Sequence, residues 1–553
     1  MANVALVATL TAPLSSDLRE INDLYNKELF NKDLFNKNQP EKDLPGPVAW
    51  LQWRADLAGN VSSSRLRSHF PGKLLYTIQS PRHGGAFAGS TNERHAHILA
   101  AATHYDMVEL EGETDLTPEL LNAIPPHKRM ISWSGWSGPA YSAVELRRKF
   151  DELSTVPAHT YCLTVAAERT SDGLQTLLFL KELKRNDVTA FCTGPFGLWS
   201  RLLSPFFGAP FLFGRHGGDQ AGVQTSAAGE PSIHRLIADY GFPALRPVRE
   251  LYGMVGNRVF QSPSPRLHNA GYRAINHPAL FVPFHTECFE DFWKETALSP
   301  TLAALGLPIQ GLTIVSPHKE SALAAAELHG PMVSQARASN VFVRRNGIWE
   351  AHTTDPQSVA CVYEKQNGNV ANPRKAAVIG CGGAGRAIAA ALQQAGVDVT
   401  LVNRNKERGA RAMQLLGLPF IPLSEFRAEG FSLLVNATPI GREDDTLPFP
   451  IHSLNRNAVV VDLAYGAHST PLASSVLARG GTVIDGYDVV LTQVRKQFAM
   501  MVGAEMPRSI GREDVILGGP AGPYHSRHSP DVEQEEVVEI HDSSSRTRAK
   551  LLA

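Results

Sequence analysis

Apolar and polar positions alternate in short bursts over the first 245 residues. MANVALVATLTAPLSS, VAWLQWRADL, KLLYTIQS, YDMVELEG, KRMISWSGW, residues 159–167 and VTAFCTGPFG are brief apolar runs, separated by helical patterns. Strand, helix, strand at that spacing predicts a parallel α/β unit, with a barrel as its closed form. The opening run lacks a basic n-region, so it reads as a first buried strand rather than a secretion signal. A second set starts near Glu250 with LYGMVGNRVFQSPSPRLHNAGY and ends at SNVFVRRNGIWEAHTTD. A third runs from Lys375 to about Met506. The predicted domains are therefore 1–245, 249–365 and 370–510. Residues 518–553 are rich in Pro, Gly, Ser and charge with little to bury, which predicts a disordered tail. Between Asp23 and Asn38 a pattern recurs at a five-residue step, neither helical nor strand-like, and reads as a local expansion at a loop or helix end.

Composition narrows the class. At 553 residues the chain exceeds what one hydrophobic core supports. With 43% hydrophobic and 19% charged residues and a net charge of -1, nothing pulls it toward nucleic acid or an anionic membrane, so a small-molecule partner is expected. No apolar run reaches the roughly 18 residues of a membrane span. Five cysteines without a CxxC pair fit reduced thiols, and the expected location is the cytoplasm. His95 and His97 have metal-like spacing, but no further ligand cluster completes a site and no metal is predicted.

The chemistry starts at VIGCGGAGRA. Gly380, Gly382, Gly383, Ala384 and Gly385 fall between a predicted strand and a predicted helix, where a tight turn presents backbone N–H groups and a helix N-terminus to a pyrophosphate. The next strand ends in Asn403 and Arg404, with Lys406 and Arg408 close behind, where an NAD site would place an acid. A guanidinium suits a 2′-phosphate, so NADP is the predicted cofactor; the alternative is a solvated basic helix start. In SPSPRLHN, prolines 263 and 265 are expected to hold the backbone extended, so that Ser262 and Ser264 face one way and suit a carboxylate. Lys319 follows a proline at an expected helix start, and Asp355 closes another strand. Together they could hold a substrate hydroxyl and pass its proton while hydride moves.

From residue 249 to 508, GNRVFQSPSPRLHNAGY, PHKE, SNVFVRRNG, TTD, GCGGAGRA, NR, NATPIG, VDLAY and DGYDVVLTQ occur in an order that resembles shikimate dehydrogenase. The resemblance implies NADPH-dependent reduction of 3-dehydroshikimate to shikimate in aromatic amino-acid biosynthesis. It also implies a two-domain unit with a Rossmann NADP domain. Carried over by position, Ser262 and Ser264 would hold the carboxylate and Lys319 would be the general acid/base. Asn340, Asp355 and Gln493 would hold ring hydroxyls, Tyr465 would line the cleft and Gly486 would approach the nicotinamide. The chain departs from the family at Val315, Thr353, Pro356, Leu463 and Asp488. Val315 and Thr353 remove hydrogen-bonding partners, which leaves quinate dehydrogenase or a non-catalytic metabolite sensor as alternatives.

Residues 1 to about 245 resemble type I 3-dehydroquinate dehydratase, a (β/α)8 barrel, through VATLTAP, LQWRADL, YTIQSPRHGG, MISWSGW, LTVAAERTSDGL and GPFGLWSR. That family works through a lysine imine and a proton-moving histidine. Here the histidine position falls on Ser134 and the lysine position on Leu163 or Thr164. Gln52 and Gln79 replace a glutamate and an arginine, whereas Arg54 and Arg201 are kept. Lys181 and Lys184 are expected to point away from the mouth. The reading is a barrel without its dehydratase chemistry; a bifunctional enzyme is the alternative.

Overall fold

The computed structural model describes residues 4–12, 47–136, 140–216, 229–359, 375–442, 444–466 and 469–516. The five-step repeat, the 518–553 tail and Cys361 lie outside them. The chain divides into two compact units, one of residues up to Phe260 plus Tyr272–Ile309, the other of Gln261–Gly271 plus the residues from Gln310 onward. Strands of the expected 249–365 domain contribute to both.

The first unit is built on eight parallel strands. They are β1 (Ala5–Leu10), β2 (Val48–Arg54), β3 (Lys73–Thr77), β4 (Met107–Glu111), β5 (Arg129–Gly135), β6 (Thr160–Ala166), β7 (Val188–Thr193) and β8 (Phe211–Arg215). Their order, β7-β6-β5-β4-β3-β2-β1-β8, is that of a nearly closed barrel. Successive side chains alternate between lumen and helix layer. On β6, Leu163 and Val165 pack outward with Leu146, Phe150 and Leu180 of the helices. Cys162 faces inward with Val7, Trp50, Met130 and Phe213. Each such fully buried aliphatic or aromatic side chain contributes about 1.5–3 kcal/mol. Helices begin where the sequence supplies caps: Ser90 with Glu93 and Ser142 with Glu145 form reciprocal capping boxes. The unit also holds the parallel pair β9 (Glu250–Gly256) and β10 (Ala279–His285).

The second unit contains β11 (Ile309–Ile314) from its second residue onward, β12 (Leu328–His329), β13 (Val341–Arg345) and β14 (Ile348–His352). Strand β13 pairs antiparallel with both β11 and β14, and β12 runs parallel to β14. A parallel sheet follows, of β15 (Lys375–Ile379), β16 (Asp398–Asn403), β17 (Phe420–Pro422), β18 (Leu433–Asn436), β19 (Val459–Asp462) and β20 (Thr482–Ile484). Its order, β17-β16-β15-β18-β19-β20, reverses direction between β15 and β18. In a doubly wound sheet that switch point is where a nucleotide binds. Strands such as β15 and β19, apolar except for one charged end residue each, fit a sheet covered on both faces. Among the described residues no helix is long and apolar enough to cross a membrane.

Candidate functional site

Lys319 and Asp355 converge in the second unit. The Lys319 Nζ lies 2.8 Å from each carboxylate oxygen of Asp355. Lys319 is in a turn ahead of the short 3-10 segment Ser321–Ala325, not at the start of an α-helix as expected. Asp355 sits three residues past β14 and is almost fully buried. Its Oδ1 also accepts from Asn340 Nδ2 at 3.1 Å and Gln493 Nε2 at 3.3 Å.

These amides are fixed from behind. Asn340 Oδ1 accepts the Thr354 N–H at 2.8 Å, and Gln493 Nε2 donates to Ser358 Oγ at 2.8 Å. Gln493 and Gln497 are one turn apart on the helix Gly486–Val502, so they share a face. Gln497 donates to Thr354 at 3.1 Å and accepts from Thr313 at 3.3 Å. The buried His268 lies against Phe498, and burial pushes its pKa down to about 3. The buried carboxylate is thus over-determined by three separate segments.

Ser262 and Ser264 also come together, by a different route from the one expected. Ser264 opens the helix Ser264–Ala274 instead of lying on extended backbone. The Ser262 Oγ accepts the Ser264 N–H at 3.2 Å, and the two hydroxyls are 3.1 Å apart. Proline at the second helical position tolerates this start because its missing N–H would have no partner there. The Tyr465 hydroxyl is hydrogen-bonded to Ser262; burial raises its pKa, while Arg442 and that bond work against the rise. Sequence reasoning stopped at NATPIG and missed the next residue, Arg442. Its guanidinium lies 5.3 Å from the Tyr465 ring centroid and donates to Gln261 at 3.2 Å. The signal available was a lone arginine beside a glycine in a loop, which has no meaning until the fold brings it to the serine pair.

The glycine turn follows β15 at the switch point. Gly380 has φ of +107°, a left-handed conformation that glycine alone adopts readily. A Cβ at Gly385 would lie 1.8 Å from the Gly380 carbonyl oxygen, so only glycine lets the helix Gly383–Gln394 approach its strand. A Cβ at Gly382 would meet nothing nearer than Arg408 Nη2 at 3.8 Å. One at Gly383 would lie 3.1 Å from the Lys319 Cβ. The turn therefore adjoins the Lys319 stem. A cavity of about 500 Å³ is lined by residues Gly380–Ala384, Lys319, Asn403, Arg404 and Arg408. Asn403 faces inward to hold the turn, its Oδ1 accepting the Cys381 N–H at 3.0 Å. Arg404 is exposed at the rim. Glu320 accepts from Arg386 at 3.1 Å and from Arg408 at 2.7 Å. Burial alone would raise the Glu320 pKa, but the two guanidiniums prevail and hold it below the ordinary carboxylate value.

A glycine cradle open toward a basic rim fits a phosphorylated dinucleotide. At Gly486 a Cβ would lie 2.4 Å from the Ala464 carbonyl oxygen, so the backbone packs closely there. Asp488, one of the expected departures, is ion-paired with Arg512.

The barrel has its own polar mouth, a cavity of about 410 Å³. Thr164 lines it and Leu163 does not, which settles which of the two occupies the lumen face. Thr164 and Ser134 are hydrogen-bonded at 3.0 Å. Glu109 accepts from Thr77 at 2.8 Å and Gln79 at 2.9 Å. Arg54 is paired with Asp56, and Arg201 with Glu230 at 3.0 Å. Among the described residues no lysine lines this cavity, and Lys181 donates elsewhere, to the Ala304 carbonyl. His95, at the metal-like spacing, is bound to Asp115 at 3.0 Å.

Three families match along the chain: type I 3-dehydroquinase over residues 47–242, the shikimate dehydrogenase substrate binding domain over 254–342, and ketopantoate reductase PanE/ApbA over 376–419. The chloroplastic bifunctional 3-dehydroquinate dehydratase/shikimate dehydrogenase of Arabidopsis thaliana is 23% identical, over 83% of this chain and 78% of the relative. The shikimate dehydrogenase (NADP(+)) of Natronomonas pharaonis is 33% identical, over 47% of this chain and 95% of the relative. A crystal structure of Thermus thermophilus shikimate 5-dehydrogenase with NADP(H) and shikimate is 26% identical, covering 48% of this chain and 99% of that one, with a TM-score of 0.43. The order of barrel and dehydrogenase domains is that of the fused Arabidopsis relative, and the chain belongs to the shikimate dehydrogenase family, with a type I dehydroquinase domain ahead of its dehydrogenase domains.

Proposed function

We propose that the second half of the chain is an NADP-dependent shikimate dehydrogenase, interconverting 3-dehydroshikimate and shikimate, and that the barrel does not dehydrate 3-dehydroquinate. The observation that carries the redox reading is the Lys319–Asp355 pair, 2.8 Å apart, next to the glycine turn. NADPH, when bound, supplies the hydride. Gly380–Ala384 would hold its pyrophosphate and Arg404 and Arg408 its 2′-phosphate. The chain's own task is the proton and the oxygen. Reduction leaves negative charge on the former carbonyl oxygen, and the Lys319 ammonium stabilises that charge and delivers the proton to it. Asp355 accepts from the same hydroxyl region and holds Lys319 on target, while Asn340 and Gln493 keep the carboxylate from turning. Ser262, Ser264 and Tyr465 anchor the substrate carboxylate at the far end, which fixes the ring between anchor and proton donor.

The barrel reading rests on Thr164 and Ser134. A hydroxyl cannot form an imine, and neither position offers a histidine's proton capacity. The experiment is direct: full-length protein with NADP+ and shikimate, followed by absorbance of the reduced nicotinamide, with quinate as a second substrate. 3-Dehydroquinate is tested separately with borohydride, which traps an imine as a stable adduct. Turnover with shikimate and no adduct are expected. No turnover defeats the redox reading, and an adduct defeats the barrel reading.

A further inference from the structure

We infer that Arg442 binds the substrate carboxylate, adding a positive charge to a cradle that the serine pair and Tyr465 make only from hydroxyls. The inference rests on the shikimate reading above and deepens it. Ser262 and Ser264 are both more than nine-tenths buried, at the first turn of an eleven-residue helix whose N-terminus favours an anion. The Tyr465 hydroxyl joins them through Ser262. Arg442 reaches the same place from another segment, over the Tyr465 ring at 5.3 Å and onto the side chain of Gln261, the residue next to Ser262.

Several other guanidiniums of this unit are taken up by carboxylates. Arg386 and Arg408 share Glu320, and Arg512 is held by Asp485 and Asp488. Among the described residues Arg442 has no carboxylate partner; its side chain donates only to a neutral amide. A half-buried cation with no carboxylate partner among the described residues, set beside two buried hydroxyls, a phenol and a helix N-terminus, is complementary to one carboxylate. Bidentate pairing with that group would orient the ring as well as hold it. It would also set specificity, because an uncharged ring polyol would leave the guanidinium unpaired.

The test measures equilibrium binding of shikimate and of its neutral methyl ester to the full-length protein by calorimetry, for wild type, Arg442→Met and Arg442→Lys. Arg442→Met is expected to weaken shikimate binding roughly 10- to 100-fold, the range for losing a charged hydrogen bond. Arg442→Lys should fall between, and ester and NADPH affinities should not move. Unchanged shikimate affinity in Arg442→Met, or an equal loss for acid and ester, overturns the inference. A wild type that binds shikimate with this arginine dependence but never reduces NADP+ defeats the redox reading alone. A wild type that does not bind shikimate defeats both.

Discussion

At the scale of single residues the account turns on charges held in place by neutral groups. Lys319 donates to both oxygens of Asp355, and two amides from different segments fix that carboxylate. Lys319→Ala is therefore expected to lower kcat by about 10² to 10⁴, the usual range for a lost general acid, with NADPH binding unchanged in a fluorescence titration. Glu320 makes a separate prediction. Its carboxylate occupies Arg408, a guanidinium of the proposed 2′-phosphate site, and would compete with and repel that phosphate. Glu320→Gln keeps an acceptor for Arg386 but removes the charge. It should tighten NADPH binding by about three- to fivefold, the scale of a half-exposed ion pair, and leave NADH binding unmoved. Equal changes for both nucleotides would contradict this.

At the scale of elements, the packing constraint at the glycine turn can be tested without any assay. Gly385→Ala would drive a Cβ into the Gly380 carbonyl, separating helix from strand. A loss of about 1–3 kcal/mol in the stability of the second unit, with loss of NADPH binding, is expected in denaturant titrations. This element was legible in the sequence because a strand, a glycine turn and an alanine-rich helix are contiguous and short-range. So were the barrel strands, each marked by its own apolar run. The SPSP segment was not, since alternating prolines permit either extended backbone or a helix start; capping by Ser262 decides for the helix. Glu320 with Arg408 and Gln261 with Arg442 are joined across 88 and 181 residues of chain, so no local pattern could announce them. Helix placement also predicts a pH effect. His268 is fully buried with its folded pKa pushed down to about 3, against an ordinary value near 6.5. Between those values the unfolded chain binds the proton and the folded one does not. Stability is thus complete above about pH 6.5 and declines on acidification toward about pH 3, by up to about 1.4 kcal/mol per pH unit. His268→Asn should flatten that part of the profile, measured by unfolding midpoints across the range.

At the scale of the whole molecule, one chain carries two polar sites of contrasting chemistry. The barrel keeps its strand order, alternation and polar mouth, in which Ser134 and Thr164 are hydrogen-bonded to one another. The dehydrogenase half keeps an ammonium, a carboxylate and a glycine-lined crevice together. Fold rests on packing that many side chains share, whereas chemistry rests on a few residues, so the proposed loss of dehydratase activity is compatible with an intact barrel. The most direct test of the central claim is the initial rate of NADP+ reduction by shikimate for the full-length protein and for Lys319→Ala, measured side by side. The account predicts steady shikimate-dependent reduction by the wild type and at least a hundredfold lower rate in the variant. Equal rates in the two proteins, or no reduction by the wild type, would contradict it.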